Sequence, residues 1–407
     1  MKYKWLAAAA VVVPIAIAQP ALAKVGDPIE VGDGVTIDPI IDARLRYETV
    51  DQDGKPENAD AVTMRLRAGA EVKVNKLSFL AEAEGTLAMV DNYDDLIPVR
   101  NTAYPVVADP DNVELNRLQV AYAAPGGTVT LGRQRIILDN ARFVGNVGWR
   151  QNEQTFDAIR GQTKIGPVSL DATYAISQNT IFGTDSPNED FDGDMFLINA
   201  GYAIGPVKLK AFSYLLDFND RATFSSQTYG GLATGSVPVG GGVKIDFMAS
   251  YAHQSDYHNN PADFSTDYIA AELGASVAGF TLKGGYEELG SDDGAAAFQT
   301  PLATLHAFNG WADLFLATPA AGLRDYYGAV GKGLGDFGPL KGVKAMVVYH
   351  KFESDFGSTD YGEEWDASIG FQVGPVGILA KYANFNADTA STYGDVEKFW
   401  LQAEIKY

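Results

Sequence analysis

The sequence has no cysteine and only 4 histidines in 407 residues. Without cysteine there is no disulfide scaffold, no thiolate metal site and no thiol nucleophile. Four histidines leave little for a histidine-rich metal site. Positive charge is scarce too: 31 Lys and Arg stand against 52 Asp and Glu, a formal charge of −21. Phosphate binding needs a basic footprint, so nucleic acid is excluded as a partner. Beyond the N-terminus there is no long apolar run, and mean hydropathy is −0.08, which excludes a bundle of membrane helices. Membrane β-structure survives all these exclusions, because its alternating strands average to the hydropathy of a soluble chain. What the sequence does hold is aromatics, with 20 Tyr, 21 Phe and 5 Trp. That is far too many for a chain unable to build a core.

The first 23 residues read as an address. Lys2 and Lys4 precede a short apolar stretch, Trp5 to Ala18, and Ala21-Leu22-Ala23 offers a small-x-small cleavage site. A membrane anchor needs about 20 apolar residues, and Pro14, Gln19 and Pro20 interrupt this one. The pattern predicts a signal peptide over 1–23, leaving 24–407 with a charge of −23.

A tight turn recurs along the remainder. Ile165-Gly166-Pro167-Val168, Ile204-Gly205-Pro206-Val207, Phe337-Gly338-Pro339-Leu340 and Val373-Gly374-Pro375-Val376 share one form. Variants stand at Asn75-Lys76, Pro125-Gly126-Gly127, Gly240-Gly241-Gly242 and Ala278-Gly279. Residues 126, 166, 205, 240 and 279 are spaced by 40, 39, 35 and 39. A period near 40 fits a propeller blade or a membrane hairpin of two strands, a tight turn and a longer loop. Alternation favours the hairpin. Val62, Met64, Leu66, Ala68, Ala70, Val72 and Val74 share one face, while Thr63, Arg65, Arg67, Glu71 and Lys73 share the other. No separate set of helices is visible to cover an apolar face. The expected fold is all-β: a transmembrane antiparallel barrel of about 18 strands, with eight short periplasmic turns and nine longer extracellular loops. In the last strand Phe399, Leu401, Ala403, Ile405 and Tyr407 oppose Lys398, Trp400, Gln402, Glu404 and Lys406. Tyr47, Tyr174, Tyr202, Tyr251, Tyr349 and Tyr382 suit interfacial girdles near strand ends.

The stretches Gly132-Arg133-Gln134-Arg135-Ile136, Asn140 to Gly145 and Gly148 to Asp157 resemble the alginate-export family of outer-membrane porins. Phe298 through Asp313 and the Arg44 to Glu48 strand are similar as well, and with Gly132 through Asp157 these stretches total roughly 50 residues. The resemblance implies an 18-stranded monomeric barrel that passes a solute across the outer membrane. That family's named exporter is associated with a basic lumen matched to a polyuronate, and a charge of −23 departs from it. An amphipathic last strand ending in Tyr407 resembles the signal read by barrel-assembly machinery. The other expected partners are outer-membrane lipid, lipopolysaccharide and the solute.

Of 13 arginines, 11 precede residue 161. Arg44, Arg46, Arg65, Arg67, Arg117, Arg133, Arg135, Arg142, Arg150 and Arg160, with Glu82 and Glu84, are the candidate pore-lining and selectivity residues. Arginine's planar fork suits carboxylate and phosphate, and facing rows of opposite charge orient a charged solute. The other reading is that these arginines pair with Asp38, Asp42, Glu71, Glu82 and Glu84 and brace the wall. Arg133 and Arg135 share parity with Val129 and Leu131, so turning them inward requires a bulge near Gly132. The longest loop, 290–322, carries Leu302, Leu305, Phe308, Trp311 and Phe315, and its apolar residues have rough helical spacing between Pro301 and Pro319. It is the candidate constriction, against a cap or a free surface loop.

Acidic loop clusters at Asp91, Asp94 and Asp95, at Asp109 and Asp111, and over 185–194 suit hard cations in type. They read more simply as solvated loops, and no metal or cofactor is expected. For an enzyme, only His253 with Ser255 stands as a local pair, read as two polar lumen residues without convergent acid, base and oxyanion groups. The sequence therefore predicts a passive, non-enzymatic outer-membrane channel of a Gram-negative bacterium, for small polar or anionic solutes such as sugars, sugar acids or oligosaccharides. The alternatives are a non-transporting barrel serving as adhesin or anchor and, third, a secreted propeller.

Overall fold

Alternation dictates the architecture. When every second side chain is apolar and the rest are ionic, the sheet has one dry and one wet face, and curling it into a ring leaves no unpaired edge. The computed structural model describes residues 27–97 and 100–407, so the expected signal peptide lies outside the described residues. Eighteen long strands form the ring. They are β1 (Val35–Gln52), β2 (Ala59–Val74), β3 (Leu77–Asn92), β4 (Asn112–Ala124), β5 (Gly127–Gln134), β6 (Thr155–Ile165), β7 (Val168–Asn179), β8 (Asp190–Ile204) and β9 (Val207–Phe218). The ring continues through β10 (Ser226–Gly240), β11 (Val243–Asp256), β12 (Ser265–Val277), β13 (Phe280–Leu289), β14 (Leu323–Phe337), β15 (Leu340–Glu353), β16 (Asp360–Val373), β17 (Val376–Ala387) and β18 (Val396–Lys406). Each pairs antiparallel with its neighbour in sequence, and β1 pairs with β18 from Asp42–Lys406 to Gln52–Val396. Tyr407 and Ile41 exchange two further backbone bonds at 2.7 and 3.0 Å, completing the seam. A short strand, Ile29–Gly32, folds back on the start of β1.

At one end of the barrel, eight two-residue turns join the strands. In the four Gly-Pro turns the glycine φ is 56–60°. A type II′ turn needs a positive φ at its first central residue, and proline's fixed φ suits the second. At the other end stand nine longer loops. Among the described residues the helices are two three-residue 3-10 turns, Ala222–Phe224 and Leu305–Ala307. The helical spacing expected in 290–322 is not realised. Asn309, Gly310 and Asp313 take positive φ there, and the segment runs as irregular chain fixed by side-chain contacts.

The two faces follow the sequence parity. Leu45, Leu66, Leu118 and Val330 point out, whereas Arg44, Arg46, Arg65, Arg67, Glu82 and Glu84 are buried inside. Outward tyrosines near the long-loop end donate to carboxylates: Tyr47 to Asp60 at 2.7 Å, Tyr251 to Asp267 at 2.7 Å and Tyr349 to Glu363 at 2.8 Å. An apolar ring with a polar tip suits an interfacial belt. His253 lies in this outward register with its Nδ1 2.9 Å from Asp267. It is not a lumen residue, and the His253–Ser255 pair makes no site.

Candidate functional site: a constriction built from two loops

Two loops fold into the lumen and meet there. Residues 135–154 link β5 to β6, and residues 290–322 link β13 to β14. They touch at a parallel bridge between Val144 and Leu302, and Gly145 N–H donates to the Leu302 carbonyl at 2.8 Å. A Cβ on Gly145 would run into Thr304 Oγ1, so glycine is what lets the chains approach so closely.

An irregular loop inside a barrel leaves backbone groups to be satisfied. The arginines of β1 and β2 do this for 135–154. Arg44 donates to the carbonyls of Gly148 (3.2 Å), Trp149 (2.9 Å) and Arg150 (3.2 Å). Arg46 donates to the Trp149 carbonyl at 2.5 Å and stacks its guanidinium 4.1 Å from the centre of the Trp149 ring. Arg67 reaches the Gln151 carbonyl at 3.3 Å. Acceptors on the wall and a neighbouring loop take the loop's N–H groups: Asp109 accepts from Gln151 at 2.7 Å, and Glu84 from Glu153 at 3.1 Å.

Glu153 is the centre of this network. It pairs with Arg135, lies 3.6 Å from Arg67, and accepts from Asn116 and Asn146 at 2.7 Å each. Burial alone would raise its pKa. Arg67 and Arg135, with bonds from Arg135 and Asn116, lower it instead to about 2. The remaining candidate arginines are committed likewise. Arg65 pairs with Asp42 and Glu404, Arg117 with Glu82 at 2.7 Å, and Arg160 with Asp171. Arg150 binds Glu48 at 3.1 Å and Asp313 at 3.0 Å, and Arg142 binds Glu287 at 2.7 Å. Arg142 also donates to Thr300 (3.0 Å) and Asn309 (3.1 Å), tying one loop to the other.

Arg133 does not join them. The pairing of β5 with β4 and β6 is regular through Gly132, so the bulge is absent. Arg133 stays in the outward register opposite Leu118, with its fork on Asp157 at 2.9 Å. Arg135 turns inward by a simpler route, since β5 ends at Gln134 and frees the chain.

The loop 290–322 is anchored differently. Leu302 and Phe315 are buried, and Phe315 packs against Phe352, Tyr361, Phe385 and Tyr393 with centroids 4.7–6.1 Å apart. Leu305 and Trp311 are half-buried, and Phe308 sits under Arg142 at 4.9 Å. Glu364 on β16 accepts the N–H groups of Trp311 (2.5 Å) and Ala312 (2.8 Å). His306 stacks on Trp149 at 4.4 Å, with its Nδ1 2.7 Å from Asp313 and its Nε2 2.7 Å from Lys381 Nζ. Burial pushes the His306 pKa down to about 3, Lys381 and Arg150 adding to it against the pull of Asp313. The imidazole is therefore neutral, donating to Asp313 and accepting from Lys381. Lys381 lies 3.7 Å from the Trp311 ring centre and 4.1 Å from that of Trp149, with Trp400 completing the cage.

Sequence parity puts Lys381, Lys398 and Trp400 on the wet face but does not reveal the loop that meets them. Trp149 and His306, the loop residues at the centre of the constriction, carry no local signal beyond the dense Arg, Asn and Gln around Trp149. The acidic loop residues are engaged elsewhere: Asp94 binds Arg100, and Asp109 serves the constriction. On the long-loop side lies a cavity of about 500 Å³, lined by residues of five loops and the adjoining strand ends.

A family model described as Gram-negative porin matches residues 7–404. The chain belongs to the Gram-negative porin family. It is thus an outer-membrane channel for small solutes, in a family and fold of non-enzymatic channels. The match is not to the alginate-export family, so the resemblance of the Arg133 to Asp157 stretches does not extend to that assignment. No curated protein matches. Among solved structures the porin is similar in fold to Acinetobacter baumannii OccAB2, with a TM-score of 0.69 at 16% identity over 91% of this chain and 98% of that one. Pseudomonas aeruginosa OccK9 (OpdG) gives 0.69 at 14% identity, covering 92% and 99%. Pseudomonas aeruginosa OpdO gives 0.69 at 13%, covering 91% and 97%.

Proposed function

We propose that this porin passes compact polar or anionic solutes, on the scale of a single sugar, sugar acid or organic anion, passively between its two inward loops. One observation carries the reading. The arginines of β1 and β2 are spent on carboxylates and on loop carbonyls, so the wall offers no bare cationic track along which a polyanion would slide. Selection then rests on the size of the gap and on the few groups left uncommitted near it. An extended polyuronate is a poor fit to such a passage.

The filled long-loop half of the lumen also suits the second reading, a non-transporting barrel acting as adhesin or anchor. Single-channel recording in a planar bilayer, with graded neutral sugars in a liposome-swelling assay, separates the two. The channel reading expects discrete conductance steps and swelling rates that fall steeply with sugar size. A barrel that inserts but shows neither would overturn it.

A further inference from the structure

The cavity on the long-loop side is unlike the rest of the lumen. At about 500 Å³ it falls within the roughly 300–1,000 Å³ of pockets that bury small organic ligands. Its walls are largely apolar, with Val50, Ile181, Phe182, Phe191, Leu305 and Leu314 among them. Val50 and Phe191 pack in the apolar core, but Ile181, Phe182, Leu305 and Leu314 stay part-exposed at the loop end of the lumen.

The polar groups around the cavity are nearly all in use. Gln154 donates to the carbonyls of Gly145 and Leu302 and accepts from Gln178 at 2.6 Å. Gln299 exchanges bonds with Thr318, and Thr300 accepts from Arg142. Arg150, His306 and Lys398 share Asp313. A sugar needs many free donors and acceptors, and the cavity offers few.

Arg221 is different. Its guanidinium lies 3.7 Å from the Phe191 ring centre and 5.5 Å from that of Phe224. Its hydrogen bond to Asn188 is a long one at 3.4 Å, and among the described residues it has no carboxylate partner within salt-bridge distance. Burial lowers its pKa and no acidic neighbour opposes this. It is an uncompensated cation held on an aromatic shelf at the edge of an apolar cavity.

The geometry points to this cavity as a binding site for amphipathic organic anions, with an aromatic or alicyclic body against the apolar wall and an anionic head on Arg221. This rests on the channel reading and narrows it, placing apolar-bodied anions ahead of the sugars and sugar acids that match them in size. The site binds before passage, so binding and conduction are measured apart.

The test is isothermal titration calorimetry on the full chain in detergent micelles, with phenylacetate, glucuronate and benzyl alcohol as probes. Phenylacetate is expected to bind at least about tenfold more tightly than either of the others, the scale of one hydrogen bond to a charged group plus a buried ring. Arg221→Gln should remove most of the preference for phenylacetate over benzyl alcohol, and Arg221→Lys should restore part of it. Equal binding of phenylacetate and glucuronate would overturn the proposal, as would a preference unchanged in Arg221→Gln. If phenylacetate binds as expected but bilayers show no conductance, the site stands and the channel reading falls.

Discussion

The loops 135–154 and 290–322 fold into the same lumen and are held by different forces. The first is a polar loop facing the arginine-rich strands β1 and β2, and ion pairs and carbonyl bonds fix it, with Glu153 inside four partners. The second is an apolar loop facing β15 to β18, where Phe315 sits in an aromatic cluster and His306 and Glu364 add a few polar bonds. Charge networks in a wet lumen demand that every member find its partner. Aromatic packing needs only shape and the exclusion of water. The two halves of the constriction should therefore fail under different insults.

Replacing Glu153 by Ala should have the largest effect. It leaves Arg67 and Arg135 beside a missing carboxylate, and breaking a buried pair in this way costs about 3–5 kcal/mol. The ladder bonds of the barrel are untouched, so the loss should be local. Expected are a conductance increased severalfold and new protease cleavage within 135–154. Phe315→Ala should do the same to the other loop at about 3 kcal/mol, the low end for a buried phenylalanine because an irregular loop collapses into the space. Cleavage should then fall within 290–322. If either variant exposes both loops equally, the bridge from Gly145 to Leu302 makes them one unit and the contrast dissolves.

Acid should separate the loops more gently. His306 has its pKa lowered to about 3 in the folded protein, from an ordinary 6.5. Its neutral form supports the fold fully above pH 6.5, and that support drains as pH falls towards 3. Glu153 is lowered from 4.5 to about 2, so its support is complete above pH 4.5 and is lost only between there and about 2. Channel noise and protease sensitivity should therefore rise first for 290–322, below about pH 6.5, with 135–154 intact until about pH 4.5. Simultaneous release at one pH would show that neither group governs its own loop.

Much of the barrel was legible because strand parity and turn chemistry are local. The Gly-Pro turns fixed the hairpins, and alternation in Ala59–Val74 fixed which side chains face in. The constriction was only half legible. Arg44, Arg46 and Arg67 announced a charged wall, yet nothing nearby in sequence showed that the backbone of 148–151 would claim them. The distance between Arg44 and Trp149 along the chain is bridged only in three dimensions. Lys381 and Trp400 were readable as lumen residues for the same reason, while their meeting with His306 was not. Arg221, in a short loop without periodicity, carried no signal at all.

The smallest expected effect tests that parity argument most sharply, because it concerns two arginines only two residues apart. Arg133 keeps the outward register of Leu131, and its pair with Asp157 is about one-third exposed, with side-chain exposures of 28% and 32%. An exposed pair of this kind contributes roughly 0–1 kcal/mol, and outside the barrel it cannot act on ions within. Arg135 lies past the strand end and points at Glu153, inside the constriction. Arg133→Ala should leave the reversal potential under a salt gradient unchanged, whereas Arg135→Ala should shift it towards cation preference. A shift from Arg133→Ala equal to that from Arg135→Ala would put both guanidiniums in the lumen, and with them the bulge that the regular pairing through Gly132 excludes.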